Sequence, residues 1–386
     1  MATAEQFRIN LDVNSLEEIE AALTSVHAHR GYDLTLSATG LDKRRGALRD
    51  AAFLQLIQTW ARLSPEATLR LVAPPGFDPL TEACGYSVGI GALSLAGKIS
   101  VGARNVSRSS ALAPGTARMD AAYEGRYDEL RKGQSVDLIC VGGANRQYLK
   151  PLFKTAGDAE VKDHKDLKMT VSSLVSAAYP SAIAHLDEGT LSALATLTHE
   201  LVENSQEHGT SDERSRPYRR HVETVFVNKL SILDADSQND LLANEALKRY
   251  WNELANRERR QHVAGLCLSF LDSGPGMASR LRGVEYASLN LEDEAAALRE
   301  CLKLNVGTKE EEGTGSGLVE VLQEVSSLHG FVRIRSGRHA IFRCFTPGDE
   351  PGDVFEGFSD WFPDRKLLRV AGTLVSVFIP LPRVVL

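Results

Sequence analysis

The order of hydrophobic and polar positions along the first part of the chain predicts strands and helices in alternation. Residues 7–13 and 32–37 alternate as half-buried strands do, and residues 67–72 predict a third strand that ends at a Pro-Pro-Gly turn. Residues 46–63 carry apolar side chains at helical spacing, and residues 136–143 indicate one more buried strand. Strands that alternate with helices are typical of a small α/β domain.

The chain divides into two regions with different patterns. At 386 residues it is too long for one ordinary core, which favours two domains. We predict an N-terminal α/β domain over residues 1–150, a charged connector over residues 151–169, and a larger α/β domain over residues 170–386. Three short motifs lie in order along this larger domain.

The first motif is Glu-Leu-Val-Glu-Asn at positions 200–204. It lies on a predicted helix for which Thr190 is the candidate N-cap. Glu200 and Asn204 are four positions apart, so their side chains lie one turn over the other. The side-chain oxygen of Asn204 is a hard ligand that suits Mg²⁺, and Glu200 is placed to orient or deprotonate a nucleophile. A solvated helix face is the alternative interpretation.

The second motif follows an apolar run at residues 263–271, which is short enough for a buried strand. The run stops at Asp272 and passes into a Gly-Pro-Gly turn that no regular element continues. A carboxylate at a strand end can accept a hydrogen bond from an exocyclic amine such as N6 of adenine. Gly274 and Gly276 let a flat base approach the backbone closely. An ordinary Asx-turn is the alternative interpretation.

The third motif is Gly-Thr-Gly-Ser-Gly at positions 313–317. Leu318, Leu322 and Val325 continue it at helical spacing, and a His-Gly pair closes the element. Backbone amides at a helix N-terminus form a site for phosphate when no side chain obstructs them. A flexible turn is the alternative for a glycine loop considered alone.

Together and in this order, the three motifs resemble the nucleotide pocket of the GHKL ATPases. That superfamily contains gyrase, the heat-shock chaperone ATPases, the histidine kinases and the mismatch-repair ATPases. The resemblance covers residues 170–386. The chain is similar to the N box of mismatch-repair ATPases at 200–205, to anti-sigma-factor kinases at 207–209, to the G1 box at 272–276, to the G2 box of histidine kinases at 313–318, and to the closing strand of histidine-kinase catalytic domains at 372–380.

The resemblance implies a fold, two cofactors and a set of site residues. The fold is an α/β sandwich with a mixed sheet and helices on one face, and the cofactors are ATP and Mg²⁺. By the resemblance, Glu200 is the general base and Asn204 is the Mg²⁺ ligand. Asp272 reads the adenine, with help from the hydroxyl of Thr373. The residues implied to surround the nucleotide are Asn204, Asp272, Gly274, Gly276, Gly313, Gly315, Gly317 and Thr373.

Two segments depart from the family pattern. The separation between Asn204 and Asp272 is longer than in compact kinase members, and residues 210–261 are interpreted as an insertion rich in arginine. The insertion is either an interaction surface or a solvated surface hairpin, and its middle is predicted to be helical. Before the third motif, residues 279–312 form a predicted lid with an acidic helix, and Lys309 is the nearest cation that could reach a γ-phosphate.

Three functions are compatible with these motifs. The first is an ATP-hydrolysing switch in which ATP orders the lid and changes the arrangement of the domains or of a homodimer. The second is an anti-sigma-type serine or histidine protein kinase, although no histidine lies in the helical hairpin that a histidine kinase requires. The third is a nucleotide-binding module without turnover. Residues 1–150 loosely resemble the STAS-type domains that partner anti-sigma kinases, so a protein partner would bind there or through residues 210–261.

Composition and charge limit which partners and which cellular compartment we expect for this chain. The net charge of −7 does not indicate general nucleic-acid binding, although local arginine clusters allow a basic patch. The five cysteines are odd in number and scattered, without a CxxC pair, which favours a reducing cytoplasm over a disulfide framework or a zinc site of cysteines. The sequence shows neither an apolar run of membrane-spanning length nor a signal-peptide pattern, so we expect a cytoplasmic protein without a membrane anchor.

Overall fold

The fold contains two β-sheets with helices packed around them, which confirms the predicted α/β class. It is known from a computed structural model. The residues that the structure describes are 7–8, 13, 15–43, 46–232, 235–242, 244–257, 263–303, 317–346 and 354–381.

The first sheet is mixed, and its strand order follows the chain. Its first four strands are parallel, because helices connect them, and the fifth turns back as an antiparallel neighbour. The strands are β1 (Phe7–Arg8), β2 (Leu34–Ser37), β3 (Thr68–Val72), β4 (Lys98–Val101) and β5 (Arg104–Val106).

The second sheet has seven described strands in the order β11-β10-β9-β12-β8-β7-β6. Every described pair of neighbours is antiparallel, so the mixed sheet expected in this half of the chain is wrong; the mixed sheet is the first one. The strands are β6 (Ser135–Val141), β7 (Val222–Ser231), β8 (Ala264–Leu271), β9 (Phe331–Ser336), β10 (His339–Cys344), β11 (Ser359–Asp360) and β12 (Thr373–Pro380).

The helices fall into two groups along the chain. The first group belongs to the unit around the first sheet: α1 (Leu16–Ala28), α2 (Ala38–Leu41), α3 (Ala47–Leu63), α4 (Pro79–Cys84), α5 (Ser87–Leu95) and α6 (Arg108–Leu112). The next two helices, α7 (Thr116–Glu124) and α8 (Tyr127–Leu130), pack with β6 in the core of the second sheet. The second group accompanies the second sheet: α9 (His164–Ala178), α10 (Glu188–Gly209), α11 (Ala235–Leu241), α12 (Glu245–Arg257), α13 (Met277–Arg282), α14 (Leu291–Lys303) and α15 (Gly317–Ser327).

The seven-stranded sheet is covered on both faces. Successive side chains of a strand point to opposite faces. In β8, accordingly, Leu268 and Phe270 belong to the core shared with α9, α10 and α15, whereas Cys267 and Leu271 belong to the core shared with α3 and α5. The continuous apolar run predicted from the sequence is therefore explained by a strand that is buried on both sides.

Helix α3 joins the two halves of the molecule. Every residue from Ala47 to Trp60 is buried, because α3 packs against α1 and α5 on one side and against β7, β8 and β12 on the other. One hydrophobic core therefore runs from the first unit into the second sheet.

The domain boundary predicted at residue 150 is wrong for one strand. Strand β6 lies within residues 1–150, yet it pairs with β7 at the edge of the seven-stranded sheet. The predicted connector at 151–169 likewise includes the beginning of α9. A short apolar run predicts a strand but not its partner, since pairing depends on residues far away in the chain.

The interpretation of residues 210–261 as an insertion is also corrected. Strand β7 lies between β6 and β8 in the interior of the sheet, so this segment contributes to the framework and is not a solvated hairpin. The helix predicted in its middle is present as α12, and its Tyr250 and Trp251 are buried against Phe331 and Phe378. Among the described residues of this segment, the longest exposed run is 214–217, and further exposed positions, at 238–239, 245, 249, 252–253 and 256, lie on or beside α11 and α12.

A buried ion pair fastens α1 to the second sheet. Glu20 of α1 accepts two hydrogen bonds from Arg335 of β9, with Nε to Oε1 at 2.8 Å and Nη2 to Oε2 at 3.0 Å. The exposed fractions of the two side chains are 7% and 1%. Such a two-point contact fixes both position and orientation.

Among the described helices, none has the length and apolar character needed to cross a lipid bilayer.

The Glu20–Arg335 pair generates the first prediction. Glu20→Ala leaves a buried guanidinium without its carboxylate, so we expect the free energy of unfolding to fall by about 3 kcal/mol. Glu17→Ala, on the exposed face of the same helix, removes a contact of 3.6 Å to Arg365 and should cost less than about 1 kcal/mol. Denaturant unfolding measures the free energy of unfolding of both variants. Equal losses would contradict the idea that the Glu20–Arg335 pair holds α1 on the second sheet.

Candidate functional site

Helix α10 carries the first motif along one side of the second core. It begins at Glu188, and its N-cap is Asp187, whose side chain accepts a hydrogen bond from the Thr190 amide at 2.7 Å. The predicted N-cap at Thr190 was therefore three residues late. The apolar side chains of α10 pack on the sheet, while Glu200 and Asn204 are only partly buried on its polar side.

The start of α15 lies directly against these two side chains. A side-chain carbon added at Gly317 would collide with Oε2 of Glu200 and would lie 3.2 Å from Nδ2 of Asn204. A side chain there would displace Glu200, and the contact brings the first motif together with the last residue of the third. Gly313 and Gly315, like Lys309, lie outside the described residues.

The environment of Glu200 favours its neutral form. Its side chain is 12% exposed, and burial together with the nearby carboxylate of Glu320 raises its pKa to about 7. His199 opposes this shift. A carboxylate with a pKa near neutrality is suited to accept a proton, because general bases work best when their pKa is close to the operating pH.

Asp272 lies where β8 ends. Its Oδ1 accepts hydrogen bonds from the Gly274 amide at 2.7 Å and the Thr373 amide at 3.1 Å, while its own amide donates to the Thr373 carbonyl at 3.1 Å. Within the described part of the chain, Oδ2 accepts no hydrogen bond. The side chain is closely surrounded by protein, and this burial raises its pKa to about 7 despite the two amide donors.

The C-terminal end of α10 touches the Asp272 loop. A side-chain carbon at Gly209 would lie 2.6 Å from Cβ of Asp272, and one at Gly274 would collide with the carbonyl oxygen of His208. Arg280 donates a hydrogen bond to that same carbonyl at 2.9 Å, which suits a cation at a helix C-terminus. Two glycines therefore let the helix and the loop meet backbone to backbone.

Gly276 and Thr373 lie behind Asp272. Gly276 has a φ of +92°, and a side-chain carbon there would meet the Tyr286 hydroxyl and Oγ of Ser336. That space is thus filled by protein, so Gly276 serves the packing of the loop rather than the approach of a base. Thr373 adjoins Asp272 through its backbone amide, and its hydroxyl lies 3.3 Å from Oγ of Ser336. The role of that hydroxyl in nucleotide binding stays a prediction.

Helix α3 holds the Asp272 loop from the far side of the sheet. Nε2 of Gln58 donates to the Asp272 carbonyl at 2.8 Å, and Oε1 of Gln58 accepts from the Ser273 hydroxyl at 2.9 Å. Arg62 donates to the Ser273 carbonyl at 3.0 Å. The apolar spacing of residues 46–63 does not identify these residues, because it marks only one side of the helix. The uncharged Gln55, Gln58 and Thr59 on the other side were a usable signal of burial.

The second prediction concerns this support. Gln58→Leu removes a donor and an acceptor from the loop, so we expect amide hydrogen exchange at residues 273–277 to become faster, with a loss of stability of about 1–3 kcal/mol. Gln55→Leu is the matched control on the same buried helix, because Gln55 donates to the carbonyls of Arg335 and Gly372 instead. The assignment fails if both variants accelerate exchange in residues 273–277 to the same extent.

Comparisons with protein-family models, with curated proteins and with solved structures give no match to this chain.

Proposed function

We propose that this chain binds ATP with Mg²⁺ in a GHKL-type pocket and hydrolyses it to drive a conformational switch. The observation that carries the proposal is the arrangement along α10. Its C-terminal end contacts Asp272, and its middle presents Glu200 and Asn204 to the start of α15. Glu200 and Gly209 are nine positions apart on the helix, a rise of about 13.5 Å. That distance is comparable to the length of an extended nucleoside triphosphate.

The base end of this arrangement fits adenine. Oδ1 of Asp272 is already engaged by two backbone amides, which fixes the plane of the carboxylate. Oδ2 is thereby left as the acceptor for an exocyclic amine, since no described residue donates to it. Thr373, whose amide donates to Oδ1, would bind a second polar atom of the same ring through its hydroxyl.

The phosphate end fits a magnesium-bound triphosphate. Asn204 offers a hard oxygen ligand, and Mg²⁺ bound there would supply charge neutralisation for the phosphates. Glu200 lies one turn away on the same side of α10 and would orient a water and take its proton. The amides that open α15 at Gly317 point away from the helix and suit an anion.

The proposal extends to the rest of the molecule. Because Gln58 and Arg62 contact the Asp272 loop, nucleotide in the pocket is coupled to the unit around the first sheet. A nucleotide-dependent homodimer, a closing movement of residues 279–312 and a protein partner bound through that unit or through the exposed residues 214–217 remain predictions of the same proposal.

The third prediction tests the pocket. We expect wild-type protein to bind ATP with Mg²⁺ in calorimetry, and Asp272→Ala and Asn204→Ala to remove binding, since each deletes one predicted ligand contact. Asp364→Asn, an exposed carboxylate far along the chain, is the control and should bind as wild type does. Unchanged affinity in both pocket variants would rule out the pocket.

Adenosine makes the same assay sensitive to Asp272 alone, because it carries no phosphate that titrates near neutrality. The ionised carboxylate is the better acceptor, and the pKa of Asp272 is raised to about 7. Affinity for adenosine should therefore reach a plateau above pH 7 and fall by up to about tenfold per unit below it. In Asp272→Asn this dependence on pH should disappear.

The fourth prediction separates hydrolysis from binding. Glu200→Gln should retain ATP but lose about 10² to 10⁴ in turnover, because a general base acts in the transition state. Glu203→Gln, three residues further along the helix and half-exposed, is the control. Phosphate release that is normal in Glu200→Gln would place the base elsewhere. Transfer of labelled phosphate to protein in place of release would favour the serine- or histidine-kinase alternative, and binding without either product would favour a module without turnover.

A further inference from the structure

Two histidines lie beside Glu200, and the nucleotide proposal uses neither. His164 is the first residue of α9, and His199 precedes Glu200 on α10. One ligand atom from each of these three residues can be chosen such that all three atoms lie within 4.8 Å of one another. Nε2 of His164 is 3.8 Å from Oε1 of Glu200, and the two imidazole rings meet edge to face with centroids 4.5 Å apart.

The hydrogen bond of His199 determines which of its nitrogens is available. Its Nδ1 lies 2.8 Å from the carbonyl oxygen of Lys162. A carbonyl oxygen only accepts, so Nδ1 carries a proton, and in the neutral imidazole Nε2 is the nitrogen with the lone pair. Histidines that bind metals typically donate their other ring N–H to a carbonyl or a carboxylate, which fixes the ring and raises its basicity. His199 already has this outer contact.

The packing of two helices builds the cluster. Helix α9 begins where Asp163 caps it, with its side chain accepting from the Asp166 amide at 2.9 Å. The helix then packs along α10, so its first residue faces His199 and Glu200. Glu203 adds a carboxylate 3.9 Å from Nε2 of His199, and Glu324 of α15 is close enough to His164 to interact with it electrostatically. Two further carboxylates therefore lie near the cluster, and carboxylates attract cations.

We propose that His164, His199 and Glu200 form a zinc-binding site. Two imidazole nitrogens and one carboxylate oxygen are a ligand set that Zn²⁺ accepts, with the fourth position left to a water. Zn²⁺ bonds of about 2.0–2.2 Å require the three atoms to draw closer than they lie here. His164 can supply that movement, because its side chain is 51% exposed. The imidazoles exclude Mg²⁺ as the natural occupant, since that ion prefers oxygen ligands.

One consequence rests on the proposed function. The carboxylate that would take the proton from water is also the one that would bind the metal, so it cannot do both. Zinc at this site should therefore slow ATP turnover by withdrawing Glu200, while the Asp272 end of the pocket stays unchanged.

The fifth prediction is that the chain binds one zinc ion. It is tested on the full chain, freed of metal, with Zn²⁺ alone as the probe and without nucleotide. Competition against a chromophoric chelator should show one equivalent bound by wild type. Co²⁺ in its place should give the intense visible absorption of a four-coordinate ion. His164→Ala and His199→Ala should each weaken binding by more than about tenfold. His29→Ala, which changes a surface histidine on α1's C-cap, is the control and should bind zinc as wild type does.

Thermal unfolding without metal shows whether each variant is folded, and His164→Gln provides a second, milder change at the exposed ligand. Absence of zinc binding by folded wild type, or equal binding by wild type and all three histidine-to-alanine variants, would overturn the site. Asp272→Ala should bind zinc normally even if it binds no ATP, so failure of the zinc site and failure of the nucleotide pocket are separate results. Where turnover is present, zinc should inhibit wild type and lose that effect in His164→Ala.

Discussion

Burial of helix α3 on all sides is the constraint on which both halves of the molecule depend. A polar side chain inside a core costs stability unless it finds a hydrogen-bond partner, and α3 carries Gln55, Gln58 and Thr59 there. The partners are backbone groups of the two loops that end β8 and precede β12, namely the Asp272 and Gly372 carbonyls and the Ala371 amide. The contacts that satisfy the polar side chains of the buried helix are thus the same contacts that hold the candidate site in position.

Local patterns predicted much of the fold. The strand at β8, the acidic helix α14 and the helix α12 follow from hydrophobic spacing, because each buries its own apolar residues in a regular way. The predictions that failed concern pairing between segments that are far apart in the chain. Strand β6 was assigned to the wrong sheet, and β7 was taken as part of an insertion, since a strand's neighbours are decided by residues that the local pattern does not contain.

The candidate site likewise has features that could be predicted from the sequence and features that could not. The spacing of Glu200 and Asn204 and the end of β8 at Asp272 could be predicted, since both depend on a single element. The meeting of Gly209 with Asp272, and of Gly317 with Glu200, could not, because each brings together residues of different elements that pack closely only in the complete fold. The nearness of His164 to Glu200 was missed for the same reason: it arises where α9 crosses α10.

The contacts around Asp272 join segments that are far apart in the sequence, and this separation affects how the chain folds. Gln58 and the Asp272 carbonyl are 214 positions apart, and the amide that completes the Asp272 carboxylate comes from Thr373, another 101 positions on. Contacts between distant segments form slowly, since the loop between them must close first. During synthesis the ribosome must release β12 before the Asp272 loop can acquire its shape. Until then Gln55 and Gln58 lack their backbone partners in these loops. We therefore expect α3 to stay exposed in the nascent chain, which would need protection from aggregation.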